Sequence, residues 1–170
     1  ASFAGGSPTE GPAITRGSFG GVEAEILKRS RQDTLEGAYV SAPETVTFDS
    51  GGQQTHAFYY PPTNPAFAAP AGTSPPLLVL SHGGPTGATD PVFDPEVQFW
   101  TTRGFAVVDV NYSGSTGYGR AYRRRLNGQW GIVDVADAVN AANYLVAAGK
   151  ADPARLITRG GSAGGYTTLA

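Results

Sequence analysis

Ser162 stands in Gly160-Gly161-Ser162-Ala163-Gly164, a Gly-x-Ser-x-Gly spacing. The residues before it, Leu156-Ile157-Thr158, read as a short buried strand, and those after it as the start of a helix. A serine hydroxyl becomes a useful nucleophile only when it is held clear of the backbone and beside a base. A tight strand-to-helix turn presents it in that way, and the flanking glycines suit such a turn because a bulky side chain at either position would clash. Ser162 is therefore read as the nucleophile of an acyl-transfer reaction. The spacing alone also fits a glycine-rich loop with an incidental serine, but the strand-turn-helix context favours the nucleophile.

Acyl transfer needs hydrogen-bond donors aimed at the developing oxyanion, and backbone N–H groups supply them without reorganisation. One candidate is the N–H of Ala163, next to the nucleophile. The second is the N–H of Gly84 in the loop His82-Gly83-Gly84-Pro85, which follows the apolar run Leu77-Leu78-Val79-Leu80. A plain turn is the alternative for that loop. His82 and His56 are the only histidines, and both precede Ser162. In a serine site of this type the acid and the histidine follow the nucleophile in the chain, yet the residues from Ala163 to Ala170 include neither. The chain is accordingly expected to be an internal piece of a longer enzyme, inert by itself, with the base beyond Ala170. His82 is expected to support the oxyanion loop through a buried hydrogen bond, and His56 to be a partly exposed strand residue. Neither has a companion at metal-ligand spacing, so no metal site and no cofactor is expected.

The elements that must hold these residues can be read from periodicity. Residues 1–43 carry only a weak alternation at Val22, Ala24 and Ile26, which fits an isolated strand. Val46 and Phe48, a turn at Ser50-Gly51-Gly52-Gln53, and then His56, Phe58 and Tyr60 describe a hairpin. Proline-rich sequence to Pro76 is a surface connection. Buried strands follow at 77–80, 105–108 and 156–158, separated by two helices, which argues for an α/β fold with a parallel sheet covered on both faces. The first helix is capped by Asp94 with Pro95 at its first position, turns Val97 and Trp100 inward and stops before Gly104. The second places Ile132, Val135, Val139, Ala142 and Leu145 or Val146 on one face and ends near Gly149. Asp134 and Asp137 read as first-turn partners of that helix's positive end. The glycines between Gly114 and Gly119 match no phosphate-binding pattern and read as a shaped loop near the catalytic face.

Composition excludes several classes. The 170 residues are 40% hydrophobic with a formal net charge of −2, so no global attraction to nucleic acid or an anionic membrane is expected. No apolar run approaches the roughly 18–20 residues of a membrane span. Arg123-Arg124-Arg125 is the one dense basic cluster and reads as a solvated helix face or a contact with further protein. There is no cysteine, which removes disulfides and thiolate metal sites and leaves the redox compartment open.

Four ordered motifs carry a resemblance: His82-Gly83-Gly84-Pro85; Asn111-Tyr112-x-Gly114-Ser115-Thr116-Gly117-Tyr118-Gly119-Arg120; Trp130-Gly131-x-x-Asp134; and Gly160-Gly161-Ser162-Ala163-Gly164-Gly165-Tyr166. Together they make residues 44–170 similar to the prolyl oligopeptidase family of serine peptidases, in its acylaminoacyl-peptidase-like and dipeptidyl-peptidase-like branch. The resemblance implies that residues 44–170 are the N-terminal part of an α/β-hydrolase domain, a mostly parallel sheet with an antiparallel N-terminal hairpin, ending after the nucleophile elbow. Residues 1–43 would be the end of a preceding β-propeller and its linker. It implies Ser162 as nucleophile, Gly84 and Ala163 as oxyanion donors, and short or N-terminally modified peptides as substrates, with a propeller and a C-terminal half of the same chain as partners. Some members present a tyrosine hydroxyl where this chain has His82, which makes a backbone donor the expectation here. A carboxylesterase of the same fold, or a non-catalytic module built on it, is the alternative.

Overall fold

A computed structural model describes residues 1–18, 20–21, 24–31 and 35–170. Its centre is a five-stranded sheet. Strands β4 (Glu44–Ser50), β5 (Gln53–Tyr60), β6 (Leu77–Ser81), β7 (Ala106–Asn111) and β8 (Leu156–Gly160) lie in the order β4-β5-β7-β6-β8. β4, β5 and β7 pair antiparallel, while β6 lies parallel to both β7 and β8. The expected hairpin is present, but the sheet is not mostly parallel, because only two of its four pairings are parallel. β5 docks on β7 by direct antiparallel ladder bonds and carries the hairpin into the same sheet.

Leu77–Leu80 of β6 and Ala106–Val108 of β7 are apolar without interruption because both faces of the sheet are covered there. On one face Leu77, Val79, Ala106, Val108 and Val110 pack with Phe48 and Tyr59 of the hairpin and with Ala141, Ala142 and Leu145 of helix α3 (Val133–Ala147). On the other, Leu78 and Val107 meet Tyr60 and Val97 of helix α1 (Pro95–Thr101). Each fully buried Leu or Val contributes about 1.5–3 kcal/mol relative to exposure. α1 forms where the sequence signals it: Asp94 accepts a hydrogen bond from Glu96 N at 2.8 Å, Pro95 opens the helix, and Gly104 beyond its end takes φ +86°. On β5 the main-core face is Thr55, Ala57 and Tyr59, while Phe58 and Tyr60 serve the second core.

Two further expectations are corrected. Residues before 43 do not hold one isolated strand. They form a three-stranded antiparallel sheet of β1 (Ser2–Ser7), β2 (Glu10–Gly17) and β3 (Ala24–Arg29). Val22, part of the sequence reading, lies outside the described residues. Glycine and proline mask β1 and β2 in the sequence, and pairing between neighbouring backbones makes them strands. β8 lies at an edge of the described sheet, with Leu156 and Ile157 each more than two-fifths exposed. Second, α3 turns Ile132 and Val139 outward, at 61% and 54% exposure, and buries Asp134 and Asp137. Helix α4 (Ala163–Leu169) follows β8 directly, and the short α2 (Gly119–Arg124) precedes α3.

A Cβ placed on Gly164 would lie 1.9 Å from the Ser81 carbonyl oxygen, whereas one on Gly161 meets nothing within 4 Å. Gly164→Ala in the full-length protein is therefore expected to cost about 2–3 kcal/mol or more in a urea unfolding curve, as overpacking against backbone does. Gly161→Ala is expected to stay within about 0.5 kcal/mol. Equal midpoints for the two variants would refute the close approach of α4 to β6.

Candidate active site

Ser162 sits between β8 and α4 with φ 53° and ψ −121°, the only described non-glycine residue at positive φ. Such a conformation costs about 1–3 kcal/mol and persists only where the surroundings enforce it. Here they do so by contact. A Cβ on Gly160 would fall 2.2 Å from the Gly164 carbonyl oxygen, and the Gly164 position abuts the end of β6. The bare backbones let the chain reverse directly into α4, with Gly164 N bonded to Gly161 O at 2.9 Å and Gly165 N to Ser162 O at 3.0 Å. Ala163, the first helical residue, donates its N–H to no described group.

The loop after β6 comes to the same place. The Cβ position of Gly83 is 3.5 Å from Ser162 Cβ. Gly84 takes φ +136°, and a side chain there would run into Gly87 N at 2.5 Å, so only glycine fits. The Gly84 N–H also has no described acceptor. The N–H groups of Gly84 and Ala163, on the two segments that meet at Ser162, are thus both without a partner among the described residues, as donors to a carbonyl oxygen that gains charge would be.

His82 is anchored at both ring nitrogens. Nδ1 is 2.8 Å from Gly83 O, and since a carbonyl can only accept, Nδ1 carries the proton; Nε2 is 2.7 Å from Ser115 Oγ. The ring stacks on Tyr112 with centroids 4.3 Å apart, and the Tyr112 hydroxyl donates to His82 O at 2.9 Å. Burial lowers the His82 pKa, opposed by the bond to Gly83 O. With both nitrogens engaged, neither is left to take a proton from Ser162. The bond to Gly83 O also fixes the Gly83–Gly84 peptide plane, and in a trans peptide this directs the Gly84 N–H away from the imidazole. His56 lies elsewhere, stacked on Tyr118 at 4.4 Å and 3.1 Å from Thr47 Oγ1 through Nδ1; burial first, and then Arg125, lowers its pKa.

The carboxylates of α3 do more than face the helix's positive end, and this corrects their sequence reading. Asp134 accepts from Gly131 N at 2.7 Å and from the Thr167 hydroxyl of α4 at 2.5 Å. Asp137 accepts from Ser113 N at 2.6 Å and from the Thr55 hydroxyl at 3.2 Å. One carboxylate ties α3 to the helix behind Ser162, and the other ties it to the loop that carries Ser115. Periodicity cannot find them, because it treats an acidic residue as an outward one. The Trp130-Gly131-x-x-Asp134 motif was the available signal. The Gly114–Gly119 loop reaches the oxyanion side through Ser115, and Thr116 N donates to Gly87 O at 2.8 Å. Arg123 and Arg124 are exposed in the last turn of α2, while Arg125 lies over the Tyr122 ring and donates to Gln54 O. Among the described residues no cluster of three His, Cys, Asp or Glu could hold a metal ion, and no helix is long and apolar enough to cross a membrane.

Thr167→Val removes the hydroxyl donor from a buried carboxylate while keeping the shape. It is expected to destabilise the full-length protein by about 1–3 kcal/mol, measured as a shift in the denaturation midpoint. A shift no larger than that of an exposed Thr45→Val control would discard the tie between α3 and α4.

With this geometry in hand, similarity to known proteins can be stated. A profile described as the Prolyl oligopeptidase family matches residues 91–170. A puromycin-hydrolyzing peptidase of Mycobacterium tuberculosis is 50% identical with a TM-score of 0.96, the match covering 99% of this chain and 26% of that one. A puromycin hydrolase is 43% identical with a TM-score of 0.94, over 98% of this chain and 25% of that one. Dipeptidyl peptidase family member 6 of Caenorhabditis elegans is 39% identical over 55% of this chain and 13% of its own length. An acylamino-acid-releasing enzyme of Arabidopsis thaliana is 36% identical over 55% and 12%. The chain thus spans about a quarter of its solved relatives' length. Sequence over residues 91–170 and backbone over nearly the whole chain agree: the protein belongs to the prolyl oligopeptidase family of serine-type peptidases.

Proposed function

We propose that the full-length protein is a serine peptidase acting on short peptides, including N-terminally modified ones, through an acyl-enzyme formed on Ser162. The observation that carries this reading is the enforced positive φ of Ser162 beside two unbonded N–H groups. Ser162 Oγ attacks the substrate carbonyl carbon and its proton passes to a histidine contributed from beyond Ala170, held by an aspartate also from that part of the chain. The carbonyl oxygen gains negative charge and takes hydrogen bonds from Gly84 N–H and Ala163 N–H. The C–N bond then breaks and the histidine returns the proton to the leaving amine. Water, activated by the same histidine, hydrolyses the ester and restores the serine. His82 holds the Gly84 N–H on target. Residues 1–43 act as the close of a preceding β-propeller and its linker, and residues 44–170 as part of the catalytic domain. Two relatives at 50% and 43% identity are puromycin-hydrolysing enzymes, which makes puromycin a reasonable test substrate beside aminoacyl anilides.

Ser162→Ala in the full-length protein is expected to abolish labelling by a fluorophosphonate probe, since only an activated serine hydroxyl reacts readily with it. Labelling that survives the substitution would remove Ser162 as the nucleophile. Gly84→Pro, which removes the N–H, should lower kcat by at least the roughly two to three orders of magnitude usual for the loss of one oxyanion donor, and near-normal turnover would dismiss Gly84.

A further inference from the structure

Where the N-terminal sheet meets the rest of the chain, Ser7 O accepts from Phe93 N at 2.8 Å. Beside this contact a cavity of about 540 Å³ opens between β1 and β2 on one side and the segment joining β6 to α1 on the other. Its polar lining is Tyr60, Thr89, Asp90, Asp94 and Asp109, and among the described residues no lysine, arginine or histidine lines it. The volume lies in the range of small-molecule pockets, about 300–1,000 Å³.

The lining is short of positive charge and of donors. Asp109, on β7, takes a short hydrogen bond from the Thr89 hydroxyl on Oδ2, and its Oδ1 has no partner among the described residues. Asp90 and Asp94 cap local backbone N–H groups and form no ion pair, whereas the nearby Glu96 is matched by Arg159 at 2.8 Å. Burial, opposed by the Thr89 bond, and then the charges of Asp94, Asp90 and Glu96 push the Asp109 carboxyl up to about 6. Tyr60 supplies an observation independent of the acids. It is only 4% exposed, yet its hydroxyl makes no hydrogen bond among the described residues, and it lines the same cavity. Its ionisation is suppressed by burial and then by Asp109, Asp94 and Asp90, so the phenol lies in the field of all three carboxylates. The Tyr60 hydroxyl opens into the cavity and is free to accept a donor, and like charges set together without a counter-charge repel.

We propose that this junction cavity binds an organic cation, a primary ammonium or guanidinium group on a short hydrocarbon stem, with Asp109 as its floor, Asp90 and Asp94 at its rim and the Tyr60 hydroxyl as a further acceptor. Such a head group brings the charge and the N–H donors that the lining lacks. A bare metal ion does not fit, because no cluster of three His, Cys, Asp or Glu among the described residues could hold one. Val92, Phe93 and Val97 provide an apolar wall for a stem. The same chemistry is offered by a free diamine-like molecule and by the lysine or arginine side chain of a peptide.

The test is isothermal titration of the full-length protein, in a Ser162→Ala background so that no probe is consumed. Agmatine stands for the free cation and acetyl-Ala-Arg-Ala-amide for the peptide side chain; the tighter of the two identifies the source. Neutral N-butylurea, which keeps the shape of a guanidinium without its charge, is expected not to bind. Asp109→Asn and Tyr60→Phe should each weaken binding, the former by about tenfold or more, since hydrogen bonds to charged groups are the strong ones. Should Asp109→Asn fold poorly, the exposed pair Asp90→Asn with Asp94→Asn should still weaken it severalfold. The site is refuted if neither cation binds with a Kd below about 1 mM, if N-butylurea binds as well as agmatine, or if affinity is unchanged in all the carboxylate variants. The readout is binding, so a negative result leaves the Ser162 chemistry standing.

Discussion

Everything near Ser162 depends on how closely α4 can approach the end of β6. Gly164 puts backbone against the carbonyl of Ser81, and any side chain there would hold the two apart. Only at that separation does the serine face the loop that starts at His82. The positive φ of Ser162 is the local cost of this approach, and packing of the surrounding backbone keeps it from relaxing. The turn and the loop after β6 are therefore one steric unit, although some eighty residues of chain lie between them.

Polar ties at depth stabilise that unit. Asp134 connects the turn at Gly131 to Thr167 on α4, and Asp137 connects Ser113 to Thr55 on β5. Removing one partner from a buried carboxylate costs more than the bond gains in isolation, because the charge is left without compensation. On the oxyanion side His82, Ser115 and Tyr112 form a second polar cluster. At the far end of the same loop Thr89 is held by Asp109, and its backbone exchanges two hydrogen bonds with the Asn111 side chain. The loop is thus fixed at both ends to β7 and the residues that follow it. Rigid placement of this kind lets backbone donors stabilise charge without reorganising.

The sequence by itself determined the features whose cause is local. Gly-x-Ser-x-Gly reported the elbow because glycine is demanded by contacts within a few residues of the serine. Asp94-Pro95 and Gly104 marked α1 because capping satisfies the helix's own unpaired backbone groups. The unbroken apolar runs of β6 and β7 marked buried strands because both faces of a sheet were to be covered. Tertiary structure alone decided the features that depend on a distant partner. Asp134 and Asp137 read as partners of their own helix's positive end, yet they are buried because Thr167, Ser113 and Thr55 arrive from other elements to satisfy them. The glycine- and proline-bearing strands of the N-terminal sheet, and the acid-lined cavity beneath it, exist only through pairing and packing between remote segments, where local propensity carries no information.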